Sequence, residues 1–259
     1  MAEVIFYEHP VPLNRADHKA LRLKGLAHMK FAMNTHSVPL TGAEFGVAAR
    51  DVMIVFAGTD AANAGPIALL GLRQNENLFV DPAGQWEPDT YIPAFVRRYP
   101  FVLGEKPEGS PEGGDFTVFL DEQFEGFNAD EGQRLFNDDG TDTEMLTNAV
   151  GFLSEFQQNI ERTRTFMKQL VKYDLLEPRN VQLRKGESDS SQGITLNGLF
   201  MVSEEKLRAL DEKDTYDLMR EGALGWIYAH LLSLVNIDRL AQRLGVREQA
   251  EAAAATSTN

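Results

Sequence analysis

The sequence predicts an α+β protein in which an antiparallel sheet, built as a meander and hairpins, packs with long helices of the C-terminal half. Three observations carry this prediction. Between residues 52 and 120, short apolar runs alternate with turn chemistry, and strands joined by short turns pair antiparallel rather than through βαβ crossovers. From residue 142 the apolar period lengthens to three or four residues, the mark of an amphipathic helix. Between 181 and 202 two strand-like runs flank a polar loop, the pattern of a hairpin.

In chain order, residues 20–24 alternate apolar and charged like a half-buried strand. Thr41 stands where it can cap a short helix over 43–50, with Glu44 suited to the positive end of that helix. Residues 52–56 are apolar throughout and of strand length, which predicts a buried central strand. The runs 66–73 and 78–80 flank turn residues 74–77, and 81–84 makes a second turn.

Residues 86–103 form the densest stretch, with prolines at 88, 93 and 100, the aromatics Trp86, Tyr91, Phe95, Tyr99 and Phe101, and the pair Arg97 and Arg98. Each proline removes a backbone donor and pushes the residue before it out of the helical region, so an extended or turning chain anchored by aromatics is expected. Alternation along such a chain aims Arg97 and Arg98 at opposite faces, so at most one joins the core and the other meets solvent or a ligand.

Residues 116–120 add a strand after a Gly, Pro and Glu-rich loop, 104–115, expected to be the least ordered internal stretch. Leu146, Val150, Leu153, Phe156, Ile160, Thr163, Met167 and Leu170 place one helix over 142–173, with turn and N-cap at 138–144. Residues 181–184 and 194–202 form the hairpin around 186–193. Ser203 caps a helix through 210, and Asp214 or Thr215 opens another. A last helix over 222–244 carries Trp226, Ile227, His230, Leu231, Leu234, Val235 and Leu240 on its apolar face. The organisation expected is one α+β domain over 1–245, and a tail over 246–259 that is disordered or frays from that helix.

With 39 acidic against 25 basic residues the net charge is −14, which disfavours nucleic acid and anionic membrane as partners because both repel a polyanion. There is no cysteine, so disulfides, thiol nucleophiles and thiolate metal sites are excluded. The start lacks a secretory pattern and no run approaches the roughly 20 apolar residues of a membrane span, so a cytoplasmic protein without a span is expected.

No Gly-x-Ser-x-Gly elbow, Walker loop or Gly-x-Gly-x-x-Gly fingerprint is present, and no motif implies a cofactor. The histidines at 9, 18, 28, 36 and 230 lack metal-ligand spacing; a metal site would need folding to gather His18 and His36 with Asp17 or Glu44. Residues 137–142 resemble a calcium loop only superficially and read as helix capping.

The candidate ligand-binding residues are Trp86, Tyr91, Arg97, Arg98, Tyr99 and His230. Arginine beside aromatics suits a carboxylate or phosphate in a bidentate fork, or a planar ring stacked on the guanidinium; the alternative is an arginine bridging surface acids. Trp86 and Tyr91 have the alternative, and the commoner, use of such aromatics as core. His230 is expected to be a neutral, hydrogen-bonded core histidine, with a place in a site as the alternative.

The motifs GLR at 71–73, NLFV at 77–80, GQW at 84–86, YIPA at 91–94, RRYPF at 97–101, LF at 135–136, NGL at 197–199 with VSE at 202–204, and YAHLLSL at 228–234 together resemble the SapC family of bacteria, over about residues 10–244. That family takes its name from a surface-layer-associated protein. Its members tend to be encoded beside tryptophan-halogenase-like flavoproteins, cupin-like proteins and TonB-dependent receptors. The resemblance implies a role in handling an imported or modified small molecule and carries over no catalytic residue. The function expected is therefore a cytoplasmic accessory protein that binds a small molecule or a protein partner such as a halogenase-like flavoprotein. A metal-dependent enzyme and a surface-layer-related assembly protein are the alternatives.

Overall fold

A computed structural model describes residues 5–25, 27–105, 116–183 and 193–257. In chain order its strands are β1 (Pro10–Pro12), β2 (Arg22–Leu23), β3 (Ser37–Pro39), β4 (Met53–Ala57), β5 (Gly65–Leu69), β6 (Phe101–Glu105), β7 (Phe116–Asp121), β8 (Phe127–Asn128), β9 (Gln133–Arg134), β10 (Leu176–Leu183) and β11 (Ile194–Val202). The α-helices are α1 (Phe45–Ala48), α2 (Ala94–Arg97), α3 (Glu144–Lys172), α4 (Glu204–Arg208), α5 (Glu212–Arg220), α6 (Ala223–Ser233) and α7 (Asn236–Ser257). The strands form antiparallel sheets in the orders β1-β7-β6, β10-β11-β4-β5-β3 and β8-β2-β9. The α+β class is as the sequence predicts, with β4–β5, β6–β7 and β10–β11 as hairpin pairs. Among the described residues no helix is long and apolar enough to cross a membrane.

Strand β4 is the buried centre because every side chain from Met53 to Phe56 is apolar, so both faces are covered. Helix α3 starts at an N-cap, Thr143, whose side chain accepts from the Leu146 N–H, and runs for 29 residues. Its apolar stripe serves two clusters. Leu146 and Leu153 pack with Phe101, Leu120, Leu135 and Phe136, whereas Phe156, Phe166, Met167 and Leu170 belong to the larger core around Phe45, Ile54 and Phe56.

The structure departs from the sequence reading in several places. Residues 86–103 are not extended throughout: six residues without a proline separate Pro93 from Pro100, and a helical turn, α2, fits between them with Pro93 as its N-cap at φ −54°. The helix expected over 222–244 is broken at Leu234 and Val235. Asn236 is drawn inward, its side-chain amide donating to the Ala49 and Val52 carbonyls at 2.8 and 3.1 Å, and the helix restarts as α7. That break turns Val235 outward, 69% exposed, instead of onto the apolar face. Helix α5 opens three residues early, because Asp211 accepts from the Asp214 N–H. At the tail, where the sequence leaves disorder and a continuation of the last helix as alternatives, the described residues from 246 through Ser257 are helical and belong to α7. The loop 104–115, apart from the end of β6, and the hairpin loop, apart from Gly193, lie outside the described residues.

One close approach fixes the base of α3 against α6. The Gly42 N–H donates to Thr163 Oγ1 at 2.9 Å, and a Cβ on Gly42 would stand 2.2 Å from the Trp226 ring. Gly42→Ala is therefore expected to destabilise by about 1–3 kcal/mol through overpacking. Urea denaturation checks this as a lowered midpoint with an unchanged slope.

Candidate ligand-binding site

Thr41 begins a 3-10 turn, Gly42–Glu44, that runs into α1. The Glu44 carboxylate folds back on it. One oxygen accepts from the Thr41 N–H and hydroxyl, both at 2.9 Å; the other accepts from the Tyr91 hydroxyl at 2.9 Å and the Ala94 N–H at 2.7 Å. A carboxylate only 6% exposed thus makes four charge-assisted bonds, two within the 41–44 turn and two that tie it to the start of α2. Burial, and then the Glu44 charge, push the Tyr91 phenol up to about 12.

The turn and α2, held in this way, enclose with residues 62–66 and one face of α3 a cavity of about 670 Å³. Its apolar wall includes Leu40, Phe95, Phe156, Ile160 and Met167. Four cations line it as well, Arg98, Arg164, Lys168 and Lys172, and no acid does so among the described residues. In a chain of net charge −14 this is a local reversal of sign. The spacing of Arg164, Lys168 and Lys172 is the signal that the sequence held: a basic row at i, i+4, i+8 beside the α3 stripe.

Arg98 is the inner cation. Its guanidinium carbon lies 3.8 Å from the Phe95 ring centroid and 5.5 Å from that of Phe156, which orients the plane by cation–π contact. Its buried Nε has no hydrogen-bond partner, and no carboxylate pairs with it among the described residues. Burial lowers its pKa, against which the neighbouring Tyr7 hydroxyl acts. Tyr7 has already committed its proton to the Phe101 carbonyl at 2.7 Å.

The other residues singled out in the sequence do not line this cavity. Arg97 is exposed, donates to the Ile92 carbonyl at 3.0 Å and the Tyr91 hydroxyl at 3.3 Å, and lies 5.1 Å from the Phe152 ring centroid. The two arginines diverge because successive residues of a helical turn point about 100° apart, not because a strand alternates. Neither bridges an acid among the described residues. Trp86 stacks on Phe79 and donates to Thr90 at 3.0 Å. Tyr99 is buried against Phe31, its hydroxyl 3.2 Å from Asp121, and burial with that charge raises its pKa. His230 is fully buried between α6, β4 and β11: Nε2 accepts from the Val202 N–H at 3.1 Å, which leaves Nδ1 to donate to the Ile54 carbonyl at 2.9 Å.

A second groove, of about 880 Å³, runs along α7 and offers less. Its arginines are already engaged: Arg243 pairs with Glu87, Arg247 donates to the Asn77 and Val80 carbonyls, and Arg239 donates to the Arg50 carbonyl. The residues of the metal alternative stay apart. Glu44 is the cap just described, while His18 accepts from the Asn14 N–H and faces Glu122 at 3.6 Å. Among the described residues no group of three or more His, Asp or Glu could hold a metal ion.

No curated protein and no solved structure matches the chain. A family model, SapC, matches residues 13–240. That span contains every strand from β2 to β11, the whole of α3 and every residue of the cavity wall, and the chain belongs to the SapC family.

Proposed function

We propose that this protein is an accessory protein that binds a small molecule in the cavity between α2, α3 and residues 62–66. The cavity itself carries the reading. At about 670 Å³ it has the size of a small-molecule site, with mostly apolar walls and a few convergent polar groups. In this reading the protein holds its molecule in the cytoplasm for flavoproteins of the tryptophan-halogenase-like kind. The family resemblance supports that finer part.

Thermal melting across aromatic acids, fatty acids, amino acids and sugars tests the site. A ligand at a hundred times its Kd raises stability by about 2.7 kcal/mol, a readily measured shift. Ile160→Trp, which places a large ring in the cavity, is expected to abolish the shift, and Arg97→Ala to retain it. A panel that shifts nothing, or shifts Ile160→Trp as much as the parent, would refute the assignment.

A further inference from the structure

The charge and hydrogen-bond inventory of the cavity narrows what it can hold; the argument rests on the cavity being a ligand site. Of the four lining cations, Arg164 pairs with Glu161 and Lys172 donates to the Tyr173 hydroxyl. Lys168 stands exposed at the mouth. Arg98 alone combines a half-buried charge, a buried unpaired Nε and the absence of any acidic partner among the described residues. A partly desolvated charge in that condition is costly, and its flat fork fits the two oxygens of a planar anion better than any other acceptor.

The remaining polar groups of the inner wall cannot help. The Thr41 hydroxyl donates to Glu44, the Thr163 hydroxyl donates to the Asn159 carbonyl, and the Asn63 amide donates to Asp60. On that wall among the described residues the Arg98 guanidinium is therefore the one cation with an unfilled donor, its Nε, while the Tyr7 hydroxyl behind it takes a hydrogen bond from the same group. One guanidinium balances one negative charge; Lys168, unpaired among the described residues, stands out at the mouth, so a second charge on a head seated against Phe95, Phe156 and Ile160 would be left uncompensated.

We propose that the ligand is an apolar monocarboxylic acid, aliphatic or aromatic, whose carboxylate meets the Arg98 fork while its hydrocarbon body lies against Phe156, Ile160 and Met167. A phosphate monoester of the same body carries too much charge for a single fork, and an alcohol leaves the guanidinium unneutralised.

Isothermal titration of the full chain near neutral pH with matched probes decides it: decanoate, decanol and decyl phosphate, then naphthoate and naphthalenemethanol. In each set the acid is expected to bind about tenfold or more tightly than its partners, the worth of a charge-assisted bond. Arg98→Met should erase the difference between acid and alcohol, and Arg98→Lys, which keeps the charge but not the fork, should restore only part of it. An alcohol or phosphate that equals the acid overturns the proposal while leaving the cavity reading intact. So does full acid preference in Arg98→Met. Silence from every probe removes both. If Arg98→Met does not fold, the comparison of probes on the parent chain and on Arg98→Lys still decides.

Discussion

His230→Ala is expected to lower stability by about 3 kcal/mol, and His230→Gln by much less. The imidazole is 0% exposed and bridges two strands, accepting from Val202 in β11 and donating to Ile54 in β4. Alanine strands a buried N–H and a buried carbonyl, each costing about 1–3 kcal/mol, and leaves a cavity beside Phe56, whose ring centroid lies 4.9 Å from the imidazole. Glutamine supplies one acceptor and one donor, which is what the two backbone groups require. The pH dependence separates this role from plain packing. Burial lowers the His230 pKa from 6.5 to about 4, against the bond to the Ile54 carbonyl, which favours the protonated ring. Above pH 6.5 both folded and unfolded states hold the neutral ring and the full stability is present. As pH falls from 6.5 toward 4 the unfolded chain takes up a proton that the folded chain refuses, so stability drops, by roughly 3 kcal/mol for this group. Urea titrations across that window should show this component in the parent and lack it in His230→Gln. A parallel loss in both would refute the assignment.

Glu44→Ala should cost about as much, roughly 3 kcal/mol, and should also disable the cavity. The substitution leaves the Thr41 N–H, the Tyr91 hydroxyl and the Ala94 N–H without their acceptor in a site that water reaches poorly. Its second effect is positional. The carboxylate sets the distance between the 41–44 turn and α2, and Thr41, Phe95 and Arg98 line the cavity from those two segments. Ligand affinity should therefore fall even at temperatures where Glu44→Ala is fully folded. Tyr91→Phe, which removes one of the four bonds, should retain most of both stability and affinity. Denaturation and titration on the same samples check the pair; an unchanged affinity in folded Glu44→Ala would show that the cap does not shape the site.

Much of this fold is legible in the residues, because local rules and tertiary packing agree there. Residues 52–56 read as a buried strand and are one; the cap at Thr143 and the stripe from Leu146 to Leu170 place α3 to within two residues. Where they disagree, packing wins. No local signal says that Asn236 will be drawn onto two carbonyls some 185 residues earlier and break the last helix, or that Glu44, suited to a helix dipole, will reach across to Tyr91 and Ala94. The site was legible only in part for the same reason. Arg98 stands out beside its aromatics, but the cavity's other wall comes from a helix some sixty residues later, and Phe156, Ile160 and Met167 look like ordinary core in the sequence. Trp86 and Tyr99 share the aromatic density of the segment and spend it on Phe79 and Phe31 instead.

Helix α3 is one rod set through two apolar clusters, and its length of 29 residues, about 43 Å at 1.5 Å per residue, lets it serve both. If the smaller cluster came apart, the stretch of α3 before Phe152 would stand as a helix of about 8 residues without a partner, too short to hold in water. Unwinding would then run along the rod until it met the larger core, first at Phe152, which packs on its edge, and one turn later at Phe156, its first buried member and also a wall of the cavity. Melting at the far end of the molecule and loosening of the ligand chamber are thus one cooperative event, seen from opposite ends of the same helix.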